Sequence, residues 1–268
     1  MAINALQSAA SGLSALNTAL DVSANNIANI NTAGFKGSRV NFQDLLYIER
    51  AQPGTENANG DQRPTGLYVG LGVKVSGTQQ EFSQGAPMVT GNALDVAIEG
   101  DGFFRVTVED DLGGGVAYTR AGNFSKNSEG QLVMTNDQGR ILDPVIQIAP
   151  NAESISISAN GVVSVKLPGE TEPTEVGEIT LVNFINPAGL EQVGENLWVA
   201  TAASGDPVEG PPGEDGRGRL KQGFLEASNV DPTKEMIELI RTQRAFEFNS
   251  QSIRAADDAL RAVAQIRR

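Results

Sequence analysis

Apolar residues recur at every seventh position near both ends of the chain. The two series are Leu6, Leu13, Leu20 and Ile27, and Leu239, Phe246, Ile253 and Leu260. A seven-residue repeat places one apolar stripe along a helix, and such a stripe is buried against another helix. The pattern therefore predicts terminal helices at residues 3–30 and 231–268, which pair with each other or with neighbouring copies. Asp231 is the predicted N-cap of the second helix, followed by Pro232 in its first turn.

The polar face of the first helix is unusually poor in charge. Residues 1–35 contain one charged residue, Asp21, and the remaining polar positions are Ser, Asn, Gln and Thr. Solvated helix faces usually carry many Lys and Glu residues, so a face of small neutral groups is better suited to close packing against protein. The tandem Asn25–Asn26 pair is a poor helix former. It indicates either a side-chain partner or an ordinary effect of the helix end.

Between the helices the pattern changes to the two-residue period of β-strands. Alternation predicts strands at 94–98 and 104–108 on either side of a turn, and another strand at 176–184. A hairpin is expected at the Ala159–Asn160–Gly161 turn. Its facing residues would be Ile155 and Ile157 on one strand, and Val163 and Val165 on the other.

Three segments are expected to lie outside this β pattern. Residues 35–50 are mixed, and Phe42, Leu45 and Leu46 are able to anchor a short turn of helix. Residues 51–66 and 204–218 are polar and rich in Gly and Pro, which is typical of exposed loops.

Composition restricts the class of function. The net charge is −13, and it lies entirely within residues 36–230 because the charges of the two helical ends cancel. An acidic middle argues against binding to nucleic acid or to anionic membrane surfaces. The first residues contain no basic segment and no long apolar run, so neither a cleaved signal peptide nor a membrane-spanning helix is predicted.

The residues for catalysis or metal binding are mostly missing. The chain has no Cys and no His, which excludes disulfides, thiol nucleophiles, Ser–His couples and nearly all zinc chemistry. Asp110–Asp111 and the acidic loop at 204–218 are the remaining candidates, but turn geometry and solvation explain both. We therefore expect no enzyme activity, no metal or cofactor and no small-molecule substrate. A carbohydrate hydrolase with two carboxyl groups about 5–10 Å apart is the catalytic alternative.

Four segments resemble blocks of the bacterial flagellar axial proteins of the rod and hook, in the same order. They are ANNIANINTAGFKGSR (24–39), DVAIEGDGFFRV (95–106), AYTRAGNFSKNSEGQLV (117–133) and SNVDPTKEMIELIRTQRAFEFNSQSI (228–253). The motif residues are Asn25, Asn26, Asn29, Thr32, Gly34, Phe35, Gln243, Arg244, Ala245 and Phe246. Within this family the layout is most similar to the distal rod subunit, and the alternative is the full-length proximal rod subunit.

The resemblance implies an α+β fold in three parts. Residues 1–30 and 231–268 would form a discontinuous inner coiled-coil domain, 31–70 an extended connection, and 71–226 a mainly antiparallel β outer domain. The two heptad series would supply the self-assembly interface. Subunits would stack into a hollow helical tube that passes torque to the hook and lines the export channel.

The same resemblance implies partners and a location. The expected partners are further copies of the chain, the proximal rod subunits, the hook protein, the surrounding P- and L-ring proteins and the type III export apparatus. The expected location is the basal body in the periplasmic space, reached without a cleaved signal peptide. Outside the family, a secreted passive surface protein or adhesin is the alternative.

The loop at 51–66 is expected to keep the tube straight. Ordinary connections run a few residues, and longer structureless ones usually have a function. Proline fixes φ and stiffens both ends of the loop, while arginine can pair with an acidic neighbour. The residues concerned are Gln52, Pro53, Gly54, Arg63 and Pro64.

Overall fold

The computed structural model describes residues 2–56, 61–169 and 172–266, and within these ranges it contains two α-helices and twenty β-strands. The strands pair antiparallel wherever their register is defined, so the fold is α+β as predicted. The chain divides into two compact units. Unit 1 comprises Met1–Ala28, Ser38–Gln79 and Asp231–Arg268, and unit 2 comprises Asn29–Gly37 and Gln80–Val230.

Unit 1 contains both long helices and two pairs of strands. Its elements are α1 (Ala2–Ala28), β1 (Ser38–Asp44), β2 (Tyr47–Ala51), β3 (Leu67–Gly70), β4 (Val73–Gln80) and α2 (Pro232–Ile266). The two helices pack on each other, and β1 packs on α1. Strand β1 pairs with β4, and β2 pairs with β3. The predicted N-cap is confirmed, because the Asp231 carboxylate accepts the backbone N–H of Thr233 at 2.8 Å and of Lys234 at 3.3 Å.

The prediction of a short helical turn within residues 35–50 is wrong. These residues lie mainly in β1 and β2, and the backbone N–H of Leu45 between them donates to the carbonyl of Gly72 at 2.9 Å. Phe42 and Leu46 are 49% and 82% exposed, so their side chains do not pack on the apolar neighbours that would anchor a helical turn. The backbone N–H and C=O groups of this segment form their hydrogen bonds with distant strands instead.

Unit 2 is built from short strands around one main core. Its strands are β5 (Pro87–Val89), β6 (Val96–Glu99), β7 (Phe104–Thr107), β8 (Val116–Thr119), β9 (Phe124–Lys126), β10 (Leu132–Met134), β11 (Leu142–Asp143), β12 (Ser154–Ile157), β13 (Val162–Lys166), β14 (Thr174–Glu178), β15 (Leu181–Asn183), β16 (Glu191–Gly194), β17 (Leu197–Val199), β18 (Val208–Gly210), β19 (Arg219–Gln222) and β20 (Phe224–Glu226). A 3₁₀ turn lies at Pro187–Gly189. The largest sheet has the strand order β11-β7-β8-β17-β16.

The predicted hairpin forms in the expected register. Ile155 lies opposite Val165, and Ile157 lies opposite Val163. The strands predicted at 94–98 and 104–108 also form, but they pair elsewhere. Strand β6 pairs with β19 across more than one hundred residues, whereas β7 pairs with β8 and β11.

Two other segments differ from their predicted form. The single strand expected at 176–184 forms parts of two strands, because β14 ends at Glu178 and β15 begins at Leu181. Strand β14 pairs with β13, and β15 pairs with β18. Strand β18 lies inside the polar segment expected to be a loop at 204–218.

The core of unit 2 has a large aliphatic part and a smaller aromatic part. The only tryptophan of the chain, Trp198, is 1% exposed and contacts Phe82 and Phe103 in edge-to-face geometry at 5.5 and 5.8 Å between ring centroids. Its indole N–H donates to the side-chain oxygen of Gln80 at 2.6 Å, which satisfies the polar end of the buried ring.

Candidate assembly surface

The predicted heptad residues lie along the two helices of unit 1. Seven of the eight are half-buried, and Leu260 is 38% exposed. In the single chain these large side chains are therefore only partly covered. Their role in an interface between copies stays a prediction.

The most deeply buried positions of the helix pair are small residues. They are Gly12, Ala15, Ser23 and Asn26 on α1 and Thr242 on α2. A Cβ added at Gly12 would lie 3.1 Å from Nδ2 of Asn249 on α2, so the glycine gives the two helices a close approach. The heptad pattern missed these residues, although the charge-poor, small-residue face of α1 indicated close packing.

Helix α2 has a second apolar stripe on the face away from α1. Met236, Ile237, Ile240 and Phe248 are 61%, 48%, 45% and 66% exposed. By helical periodicity they lie opposite the positions that face α1, which run from Leu239 through Phe246 to Ile253. A helix that is apolar on two faces has one face without a partner inside this unit.

Asn26 has a side-chain partner, which is one of the two alternatives that the sequence leaves open for the Asn25–Asn26 pair. Its Oδ1 accepts the backbone N–H of Ser38 at 3.0 Å, and its Nδ2 donates to the carbonyl of Ser38 at 2.8 Å. The same Nδ2 lies 3.2 Å from Oε1 of Glu235 on α2. One amide therefore joins the end of α1, the start of β1 and the first turn of α2.

The segment predicted as a polar loop at 51–66 continues the hairpin of β2 and β3. The N–H of Gly54 donates to the carbonyl of Arg63 at 2.8 Å, and the N–H of Arg63 donates to the carbonyl of Thr55 at 3.0 Å. Glu56 and Gln62 form a further bridge. The five loop residues singled out from the sequence are all exposed. The segment is thus an arm with backbone pairing; residues 57–60 lie outside the described ranges.

The base of this arm is apolar. Leu46, Tyr47, Leu67 and Tyr68 are all at least 51% exposed. The arm is joined to α1 through serine hydroxyls: Ser8 donates to the carbonyl of Gly70 at 3.4 Å, and Ser11 Oγ accepts the N–H of Val73 at 3.3 Å.

The motif that follows α1 folds into a tight turn in unit 2. The Thr32 hydroxyl donates to Oδ1 of Asn29 at 3.1 Å, and the Phe35 N–H donates to the carbonyl of Thr32 at 3.2 Å. Gly34 has φ of +70°, and a Cβ there would lie 2.6 Å from the backbone nitrogen of Ala121. Only glycine fits this position without strain. Phe35 is 9% exposed.

The other motif residues lie on the helices of unit 1. Asn25, Gln243 and Arg244 are exposed, whereas Ala245 and Phe246 are half-buried.

A buried cluster of charged side chains next to this turn was missed by sequence reasoning. Lys36 is 0% exposed, and Arg120 and Glu226 are each 2% exposed. The Lys36 ammonium donates to Oε1 of Glu226 at 2.6 Å and to the carbonyl of Ser83 at 2.7 Å. Burial lowers the pKa of Lys36, although Glu226 opposes that shift. Burial likewise lowers the pKa of Arg120.

Two of the candidate carboxylates in the acidic segment 204–218 form structural contacts. Glu209 pairs with Arg105 and accepts the Thr180 hydroxyl at 2.9 Å, and Asp215 pairs with Arg217 at 2.9 Å. Within the described ranges, no group of three or more acidic side chains has the geometry to hold a metal ion.

Sequence comparisons decide the family. Three family profiles match in chain order: flagella basal body rod protein at residues 6–36, flagellar hook protein FlgE/F/G D1 domain at 97–165, and flagellar basal body rod FlgEFG protein C-terminal at 221–266. The flagellar basal-body rod protein FlgG of Caulobacter vibrioides is 47% identical over 99% of this chain and 100% of its own length. This chain belongs to the flagellar basal-body rod protein family. It is a structural subunit of the rod.

Other rod proteins sharpen the assignment within the family. FlgG of Bacillus subtilis is 40% identical over 99% of this chain and all of its own length. The rod protein FlgF of Caulobacter vibrioides is 35% identical over 91% of this chain and 89% of its own length. The similarity is thus greater to FlgG than to FlgF, which supports the distal rod subunit over the proximal alternative. Membership in the rod family also sets aside the adhesin alternative.

In the described part of the chain, neither helix is long and apolar enough to cross a membrane.

Proposed function

We propose that copies of this chain assemble through unit 1 into the hollow helical tube of the distal rod. The tube would line the export channel and pass motor torque to the hook. The observation that carries the proposal is the uncovered apolar stripe of α2, formed by Met236, Ile237, Ile240 and Phe248. A chain that leaves such a stripe exposed on one face, with the other face against α1, is suited to a second copy as its partner.

The proposed organisation follows from the resemblance and the helix packing. Residues 1–30 and 231–268 form the inner domain as a coiled coil, 31–70 connect, and 71–226 form the outer domain. The heptad residues form the apolar contact between α1 and α2 within a subunit and the contacts between subunits. The chain assembles with other flagellar components, and we propose the proximal rod subunits, the hook protein and the P- and L-rings as its neighbours. We further propose a periplasmic location, reached through the type III export apparatus without a cleaved signal peptide.

The test compares two charges placed on α2. Phe248→Asp puts a carboxylate in the exposed stripe, whereas Ser252→Asp puts the same charge one turn further along, beside the stripe. Both side chains are exposed in the single chain, so both variants should fold as wild type. We expect Phe248→Asp alone to abolish polymerisation of purified protein, measured by sedimentation and electron microscopy. Equal polymerisation of the two variants would remove this stripe from the interface.

We propose that the arm at 51–66 keeps the tube straight. Its backbone pairing makes it stiffer than a free loop, and its exposed side chains are available to an adjacent subunit. Exposed Arg50 and Arg63 carry the charge that can pair with an acidic outer domain. Contact of this kind would prevent the sliding between subunits that lets a tube bend.

Deleting Gln52–Pro64 tests this role of the arm. We expect subunits that still polymerise but form curved tubes in electron micrographs. The matched control is Arg50→Glu/Arg63→Glu, which keeps the arm and reverses its charge, so curvature in both variants would assign the effect to ion pairing. Straight tubes from the deletion would make the arm a spacer, and loss of all polymer would assign it to assembly.

A further inference from the structure

The buried charges of unit 2 include residues that are close in sequence to the boundaries between the two units. The chain crosses at residues 28/29, 37/38, 79/80 and 230/231. Lys36 lies in the short segment bounded by the first two crossings, Ser83 follows the third, and Glu226 precedes the fourth. Each of the four boundaries between the units is therefore within eight residues, along the chain, of Lys36, Ser83 or Glu226.

Directional hydrogen bonds hold these segments together. One oxygen of Glu226 accepts both the Lys36 ammonium at 2.6 Å and the backbone N–H of Gly85 at 2.8 Å. The backbone carbonyl of Glu226 accepts the N–H of Gly34 at 2.7 Å. The second carboxylate oxygen lies 3.6 Å from Nη1 of Arg120, which also donates to the carbonyl of Gly100 at 2.8 Å.

Asn229 adds a second set of bonds beside the charges. Its Oδ1 accepts the N–H of Gly37 at 2.8 Å, and its Nδ2 donates to the carbonyl of Glu81 at 2.6 Å. The N–H of Glu81 in turn donates to the carbonyl of Gly37 at 2.9 Å. The same three segments are thus joined by both charged and neutral groups.

Stability alone does not explain a charged cluster here. Replacing a buried ion pair by apolar side chains of similar volume is often neutral or stabilising, whereas removing one partner is strongly destabilising. An apolar contact is non-directional, so segments held only by such a contact slide past each other without losing it at once. A hydrogen-bonded ion pair fixes one register and is lost when the segments shift by about 1 Å.

We propose that Lys36, Glu226 and Arg120 form an ionic clamp that holds the chain crossings in register when force acts on them. The three are positioning residues for torque transmission, so the inference rests on the proposed function of the rod. The clamp transfers force from the crossings to the rigid core of unit 2. Without it, the segments at 29–37 and 226–230 would be held by the neutral hydrogen bonds of Asn229 and Gly34 alone and would separate from the unit at lower force.

Thermal melting establishes what each substitution does to stability. Glu226→Gln leaves Lys36 buried without its counter-charge, and we expect the melting temperature of the purified full-length chain to fall by about 10 °C. Lys36→Met/Arg120→Met/Glu226→Met removes all three charges, so that no member of the cluster is left buried without its counter-charge. Its melting temperature should return close to the wild-type value.

Single-molecule pulling then separates a clamp from ordinary structural stability. The chain has no native cysteine, so introduced cysteines give unique attachment points. Asn31→Cys with Lys234→Cys loads the clamp, and Ser128→Cys with Glu175→Cys loads two other segments of unit 2. All four positions are exposed. We expect Lys36→Met/Arg120→Met/Glu226→Met to open about 100-fold faster at a given force in the first geometry only.

Two results would overturn the proposal. The triple variant could resist force like wild type in the first geometry, in which case the charges have no mechanical role. It could instead weaken both geometries equally, in which case the cluster only stabilises the fold. Both measurements use single purified chains, so their failure is distinct from a failure to polymerise, which would count against the rod assembly proposed above.

Discussion

The two units of this protein bury their side chains in different ways. Among the described residues, unit 2 contains every large apolar side chain that is fully buried, including Phe104, Trp198 and Leu181. The one buried apolar residue of unit 1 is Ala15. Unit 1 also holds most of the exposed large apolar residues, on α2 and at the base of the β2–β3 arm.

This difference shows how one chain can be stable alone and still assemble. Burial of apolar surface is the main favourable term in both folding and association. Unit 2 uses its apolar side chains for its own core, whereas unit 1 leaves many of them at the surface, where the proposed assembly would cover them. Mutations of the buried apolar residues in unit 2 should therefore lower the stability of the single subunit. Mutations of the exposed apolar residues in unit 1 should mainly impair the polymer.

The largest effect on the single subunit is expected from Phe104→Ala. This ring is 0% exposed and packs edge-to-face on Phe124 at 5.2 Å between ring centroids. Its removal should cost about 3–5 kcal/mol of unfolding free energy. The matched control is Phe248→Ala on exposed α2, which should cost less than about 0.5 kcal/mol. Chemical denaturation followed by Trp198 fluorescence measures both, and similar losses would contradict the comparison.

The second largest effect is expected from a charge placed among the heptad residues between α1 and α2. Leu20→Asp or Ile253→Asp places a charge among half-buried apolar side chains, and a charge buried without a partner costs several kcal/mol. We expect rod completion and swimming to fail, because the proposed assembly would bury these positions further. The near-ultraviolet signal of Trp198 should stay native, since that residue reports on unit 2. Normal swimming in either variant would exclude its residue from the interface.

A smaller effect is expected from Asn26→Ala. The substitution leaves the backbone of Ser38 without both of its bonds to the amide and removes the contact with Glu235. Unsatisfied polar groups of this kind cost about 1–3 kcal/mol. The loss should appear as faster hydrogen exchange in α1 and β1, while the amides of β7 and β8 keep their protection. Asn17→Ala, at an exposed position of the same helix, is the control that should change less.

The smallest effect concerns pH and a surface pair of unit 2. The pKa of Glu109 is lowered, first by a backbone hydrogen bond to its carboxylate and then by the guanidinium of Arg140. Because the folded pKa lies below the unfolded one, the stabilisation is present above the unfolded value. It is lost as pH falls through the folded pKa. NMR titration should show the lowered pKa, and Arg140→Gln should raise it. An unchanged pKa in that variant would leave the backbone bond as the sole cause.

Local sequence signals predicted much of the fold and part of the surface. The N-cap at Asp231, the 155–165 hairpin register and the two terminal helices each depend on neighbouring residues, so a short stretch of sequence contains the necessary information. The partner of Asn26 was indicated only as a possibility, because its nature depends on where Ser38 is placed.

Long-range contacts were not predictable from local patterns. Alternation indicated strands at 94–98 and 104–108 but not their partners, since β6 pairs with β19 far along the chain. Lys36 was read only as part of a motif because its counter-charge, Glu226, is 190 residues away. The polar segment at 51–66 is an exposed connection between β2 and β3, as the sequence predicts, but its few backbone hydrogen bonds were not predictable because exposed polar residues specify strand pairing only weakly.

The sequence by itself determined the fold class, the family and the positions of the two terminal helices. Heptads, turns and motif blocks are local or ordered features, and they specify these properties without coordinates. The tertiary structure alone decided that small residues form the closest helix contact, and that α2 has a second, uncovered apolar stripe. It also brought Lys36, Arg120 and Glu226 together. Such contacts depend on the packing of distant segments, which only the folded chain specifies.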